Sequence, residues 1–271
     1  MSNFKRYLNA YEFETVLPGS GESIKFRPIT TGQIKKLLVY EGAEEPEIIE
    51  KALDEIIEGC VIKEGFSISD LYLQDRFFLL LELRKVTKGN LYQFQSVCPS
   101  CNSQSLQTVD LQKLPVKVLP RLKKEKISTK GKKVVLEEPE ETKTLIGWNI
   151  IKINNNISLR MCPITRGMQI MSTELMKANF ADAKPMEQAM NLSSIIFALS
   201  IQEVITPSGV EGDLSLDDKI YLLDNLTQKE TEKIPDWFEK NNFGVDLKFD
   251  VLCPQCGTKV IRDIPLEDFF S

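Results

Sequence analysis

The chain has 271 residues, 42% of them hydrophobic, with 14 Gly and 13 Pro, enough to bury a sizeable core in one large or two small domains. A formal charge of −5 speaks against a general affinity for nucleic acid, which needs a basic surface to neutralise phosphates. The sequence holds no histidine, which excludes a His-dependent triad or an HExxH metalloprotease and leaves carboxylates, Lys or Cys for any proton chemistry.

The opening "MSNFKRYLNA" has no charged-then-apolar leader, and no run of eighteen apolar residues follows, so a cytoplasmic site of synthesis and no membrane insertion are expected. Two short strands come first, "YEFETVL" and "SIKFRPI", joined by a "PGSGE" turn. A helix over "TTGQIKKLLVYEG" follows, with Thr30 and Gln33 at capping-box spacing. Pro46 suits the first turn of a second helix, "EPEIIEKALDEIIEGCVI", whose Ile49, Leu53, Ile56, Ile57 and Cys60 share a face. The spacing predicts a third, largely buried helix over "SDLYLQDRFFLLLELRKVTKG", capped by Ser69 and stopped by Gly89. The alternating segments "LYQFQSV" and "SLQTVDL" then form a hairpin whose tip carries Cys98 and Cys101.

A Lys- and Glu-rich stretch with Pro115, Pro120 and Pro139 reads as an extended linker over residues 113–143. Beyond it the order of elements returns. "TLIGWNIIKI" and "ISLRMCPIT" flank an Asn turn, and "ISLRMCPITRG" echoes "IKFRPITTG". Two helices are expected over "RGMQIMSTELMKANF" and "KPMEQAMNLSSIIFALSIQEVI", the second with Pro185 early. "LSLDDKIYLLDNL" matches "LYLQDRFFLLLEL", with Asp218 where Asp75 stands. The closing "LKFDVLCPQCGTKVIRDI" matches the first cysteine hairpin, Phe249 and Phe94 each lying four residues before the first cysteine. The expected fold is α+β, in two pseudo-repeated units of a β-hairpin, about three helices and a CxxC hairpin, spanning 1–112 and 144–271.

Each CPxC turn can place two sulfurs on one side of an ion, and two such turns complete a zinc-ribbon-like site of four cysteines. Cys98, Cys101, Cys253 and Cys256 are therefore the candidate ligands of one zinc per chain, joining the second unit to the first. Bringing turns so far apart together costs roughly 5 kcal/mol of chain entropy, against an apparent ~10–16 kcal/mol for structural zinc in small peptides. Four protein ligands leave no position for water, which makes the site structural. A redox CxxC belongs at a helix start beside a βαβ pattern, whereas strands follow both motifs here. A disulfide is not expected in a cytosolic product, and Cys60 and Cys162 lack partner spacing and read as core.

The remaining motifs carry less chemistry. "EGAEEPEIIE" and "EEPEE" lack calcium-loop spacing, and "GSGES" lacks the Lys-Ser/Thr of a phosphate loop and reads as a turn. Gln112 to Lys133 holds nine Lys or Arg against one Glu, an edge that could grip nucleic acid or an acidic partner but has no interleaved aromatics and an acidic block after it. Trp148 and Trp237 read as packing anchors, and Arg27 and Arg160 each suit an acid in their own unit. No catalytic or organic-cofactor site is assembled.

Taken in order, "FRPITTGQIKKLL", "DRFFLLLELRKVTKG" and "CPSC" resemble the baseplate protein family of T-even-type contractile-tailed phages, which includes the hub assembly proteins and the hub assembly catalyst. The likeness covers most of the first 110 residues and, more loosely, the second half. It implies a non-enzymatic role in tail morphogenesis: assembling or joining the central hub of the baseplate through contacts with hub and tail proteins. The setting it implies is the host cytoplasm during assembly and the tail baseplate of the virion. A zinc-ribbon module that binds nucleic acid through its Lys-rich linker is the alternative from another class.

Overall fold

A computed structural model of the chain describes residues 11–39, 46–119 and 148–264. They fall into two units that do not follow the expected boundaries. The first gathers the described parts of Met1–Ile68, Gln74–Lys117 and Gly244–Ser271, and the second those of Ser69–Leu73 and Val118–Phe243.

In the first unit, β1 (Phe13–Val16) and β2 (Ser23–Phe26) pair antiparallel around the Gly-Ser turn. That turn is pinned from below, because the fully buried Asp75 carboxylate accepts from the amides of Gly19 at 2.6 Å and Ser20 at 2.8 Å. Helix α1 (Thr31–Val39) starts at the expected cap, with Thr30 Oγ1 accepting from Gln33 N and Gln33 Oε1 accepting from Thr30 N. Helix α2 (Pro46–Cys60) buries Ile56, Ile57 and Cys60, as its apolar spacing requires. It meets α3 (Leu73–Lys88) at a buried ion pair, Arg76 Nε to Asp54 Oδ1 at 2.6 Å.

Helix α3 begins at Leu73, three residues later than a cap at Ser69 requires. A short 3-10 turn occupies Ile68–Asp70, and Ser69–Leu73 instead belong to the second unit, where Tyr72 bridges Thr165 and Leu73 N donates to Ile164 O. The helix stops where expected, at Gly89 with φ 92°, a left-handed conformation that glycine adopts without a Cβ clash. Two hairpins complete the unit: β3 (Leu91–Val97) with β4 (Gln104–Asp110), and β11 (Lys248–Leu252) with β12 (Lys259–Asp263). Between them, β5 (Val116–Lys117) pairs with β10 (Gly244–Val245).

These pairings correct two expectations. Residues 113–119 are folded rather than linker, and the rest of the expected linker, residues 120–143, lies outside the described residues. The CPQC hairpin, expected in a second unit spanning 144–271, is gathered into the first, held there by the β5–β10 pair and by its own apolar contacts.

The second unit carries a four-stranded antiparallel sheet in the order β6 (Ile150–Lys152), β7 (Ser158–Met161), β8 (Ile201–Thr206), β9 (Gly209–Glu211). Helix α4 (Arg166–Phe180) is capped by Thr165 of the second Pro-Ile-Thr turn. Helix α5 (Pro185–Ser200) ends five residues before the expected stop, because "IQEVIT" pairs with β7 instead. Its β-branched residues favour a strand. Helix α6 (Leu216–Asp224) has a full capping box between Ser215 and Asp218. Asp75 and Asp218 thus occupy matching places in the sequence but hold a turn in one case and a helix start in the other. Two elements without a sequence expectation follow, α7 (Gln228–Thr231) and α8 (Lys233–Lys240).

The core of this unit joins Ile153, Leu159, Met161, Ile201, Ile234 and Trp237. Trp148 and Trp237 serve as anchors: the rings stack at 5.9 Å and Trp237 Nε1 donates to Trp148 O. Arg160 pairs with Glu203 at 2.6 Å here, and Arg27 with Glu12 at 3.0 Å in the first unit. Among the described residues, no helix is long and apolar enough to cross a membrane.

Candidate metal centre

Each cysteine hairpin turns the chain in the same way. Cys98 N donates to Ser103 O and Asn102 N to Cys98 O, both at 2.9 Å; Cys253 N donates to Thr258 O and Gly257 N to Cys253 O, again at 2.9 Å. Pro99 and Pro254 fix φ at the second position, where no donor is needed. The residue after the second cysteine must then adopt a left-handed conformation, which Asn102 does at φ 56° and Gly257 at φ 71°. The fold aims amides at sulfur: those of Ser100 and Cys101 at Cys98, and those of Gln255 and Cys256 at Cys253.

The inner faces of the two hairpins bring the turns together. Tyr92, Phe94 and Val251 are buried, and the Phe94 and Phe249 rings meet edge to face at 5.4 Å. Arg262 Nη2 donates to Val97 O at 2.9 Å, tying one hairpin to the backbone of the other. All four sulfurs consequently lie within 4.8 Å of one another, with Cys98 Sγ 3.7 Å from Cys256 Sγ and Cys101 Sγ 3.7 Å from Cys253 Sγ.

Those separations test what the site can hold. A disulfide needs about 2.05 Å between sulfurs, so these pairs are too far apart to be bonded. Four thiolates at about 2.3 Å from a tetrahedral zinc stand roughly 3.8 Å from one another. The two 3.7 Å separations fit that edge length, and every other pair lies within 4.8 Å. Cys98 and Cys253 are buried and Cys101 and Cys256 exposed, so the cluster lies at the surface of its unit, reachable by an ion from solvent.

Hydroxyls surround the sulfurs. Ser103 Oγ lies 3.1 Å from Cys101 Sγ and 3.3 Å from Cys253 Sγ, and Thr258 Oγ1 lies 3.1 Å from Cys256 Sγ. The Ser103 hydroxyl and then the Cys256 amide bring the Cys253 thiol down to about 6, and the Thr258 side chain is the largest influence lowering Cys256. At Cys98 the amides of Cys101 and Ser100 pull downward, but burial and the neighbouring sulfurs together leave the thiol raised. A bound cation would deprotonate all four outright.

The structure therefore brings together all four cysteines singled out in the sequence, inside one unit rather than between two. Strands β4 and β12, not helices, follow the cysteine pairs, unlike a thioredoxin-type redox site. Cys60 and Cys162 stand apart. Cys60 is buried with its thiol raised by desolvation, and Cys162, half-buried beside Gln202, is raised to about 11 by the same cause. The "GSGES" segment is a turn, while "EEPEE" and most of the basic run lie outside the described residues. Ser103 and Thr258 were not anticipated, although both stand two places after the second cysteine of their motif, in "CNS" and "CGT".

An α+β chain that gathers two CPxC hairpins into one four-sulfur cluster could hold a metal ion, an arrangement that serves many different roles. The sequence profile described as T4 bacteriophage base plate protein matches residues 9–271, and the chain belongs to that family. Searches of curated proteins and of solved structures return no match.

Proposed function

We propose that this protein is a non-enzymatic component of the phage baseplate that assembles or joins the central hub through protein contacts, held in shape by one structural zinc on Cys98, Cys101, Cys253 and Cys256. The observation that carries the reading is the family match, which runs through both units and through every cysteine of the cluster. The zinc follows from the chemistry of the donors. Four thiolates at tetrahedral spacing suit a soft, redox-inert ion and leave it no site for a substrate. Its mechanical effect is to fix the C-terminal hairpin against β3–β4, so that a segment distant in the chain keeps one surface for its partners.

The two units descend, in this reading, from one duplicated element. An antiparallel strand pair and a Pro-Ile-Thr turn lead in each into a helix capped by the threonine, Thr30 before α1 and Thr165 before α4. The partners are hub and tail proteins, and the setting is the infected cell during assembly and the tail of the virion.

Co-expression with phage hub and tail proteins, followed by affinity purification and a parallel gel-shift series, tests this function. The reading expects a stable complex with at least one hub protein and no retention of DNA or RNA. Retention that falls steeply with salt, without a hub complex, would establish the nucleic-acid alternative instead.

A further inference from the structure

The second unit carries an open groove of about 380 Å³ among α5, α6 and α7, lined by residues that include Met186, Met190, Phe197, Leu223, Asp224 and Thr231. Its outer lip is unusual for a soluble helix. Met186 and Met190, one turn apart, are 76% and 64% exposed. An apolar patch with a polar rim marks an interaction surface, and methionine, flexible and polarisable, suits a surface that moulds itself to a partner side chain.

Charge narrows the choice of partner. Helices α5 and α6 carry four carboxylates, Glu187, Asp217, Asp218 and Asp224, against Lys219; Lys184 stands at the cap of α5, and α7, which lines the groove through Thr231, adds Lys229 and Glu230, so carboxylates still outnumber cations. Asp224 lies within the groove wall itself, and neither it nor Glu187 has an ion-pair partner among the described residues. A carboxylate beside an apolar slot is best matched by a lysine or arginine flanking apolar anchors. The 16 residues of α5 offer a track about 24 Å long, enough for several turns of a second helix.

We infer that this groove receives one amphipathic helix of a partner protein, with aliphatic residues a turn apart on its buried side and Lys or Arg along its flanks. The inference rests on the baseplate reading only for the source of that helix; the groove and its charge stand without it.

The test uses the full chain and two labelled synthetic peptides as long as α5, with the same leucines at helical spacing, one flanked by lysines and the other by glutamates. Fluorescence anisotropy should show saturable binding of the lysine peptide and about tenfold weaker binding of the glutamate peptide, a difference of about 1.4 kcal/mol. Asp224→Lys, at an exposed position, should erase or reverse that preference while leaving the melting temperature in place. Met190→Asp should weaken the lysine peptide even though it adds negative charge. Equal binding of the two peptides, binding of neither, an unchanged preference in Asp224→Lys, or tighter lysine-peptide binding in Met190→Asp would each overturn the inference, the last by showing diffuse charge attraction alone. Hub association is scored separately with full-length hub proteins, so a failed groove leaves that result to stand or fall by itself.

Discussion

Removing the metal should loosen the C-terminal hairpin selectively. Cys101 and Cys253 are 152 residues apart, and closing such a loop costs roughly 5 kcal/mol. Without an ion, the docking of β11–β12 on β3–β4 depends on the short β5–β10 pair, the Arg262–Val97 hydrogen bond and the apolar contacts of Phe94, Phe249 and Val251. Burial of such side chains contributes about 1.5–3 kcal/mol each, an upper limit because the unfolded chain already buries part of that area. The difference leaves the metal-free docking between about zero and 4 kcal/mol, whereas a structural zinc adds an apparent ~10 kcal/mol or more in small peptides. Hydrogen exchange with thiols kept reduced, with and without a strong chelator, measures this directly. Chelation should accelerate amide exchange in Lys248–Leu252 and Lys259–Asp263 by orders of magnitude, with slow exchange retained in Ser158–Met161 and Ile201–Thr206. The protein's two tryptophans, both in the core of the second unit, should keep their emission. Unchanged exchange in β11 and β12 after complete chelation would refute the reasoning.

Three further outcomes test the scaffold. Asp75→Ala deprives the amides of Gly19 and Ser20 of a buried acceptor and should cost about 3 kcal/mol, read from denaturant unfolding. Trp237→Ala opens the second core and should cost about 3–5 kcal/mol in the same assay, with loss of the stacked-indole signal of Trp148. Glu230 is held down to about 2, first by the Thr227 hydroxyl and then by the Asn154 amide. A carboxyl depressed on folding stabilises above its unfolded value of 4.5 and loses that contribution as pH falls towards 2. Carbon-detected NMR should place its midpoint near the lower value, and Glu230→Gln should flatten the stability profile across that window.

Local chemistry was readable from the sequence where a residue type answers a single geometric need. The capping threonines, the glycine stop at Gly89, the hairpins around Pro-Gly and CPxC turns, and the meeting of four cysteines all follow from such needs. Long-range choices were less legible. "IQEVIT" continues the apolar pattern of α5, and its β-branched residues become a strand where β7 and β9 supply pairing partners. The assignment of the last hairpin to the first unit depends on a two-residue pairing, Val116 with Val245 and Lys117 with Gly244, too short to leave a pattern. Ser69 resembles a helix cap, but the bridge between Tyr72 and Thr165 draws its segment away from α3. The groove among α5, α6 and α7 was hidden for a related reason: Met186 and Met190 have core spacing, and their exposure is visible only once the neighbouring helices are in place.

Elemental analysis of the full chain, purified without chelator, bears most directly on the four-sulfur cluster. The account predicts close to one zinc per chain, lost together with folding stability in Cys98→Ser or Cys253→Ser. Two ions per chain, or none, would contradict a single site shared by the two hairpins.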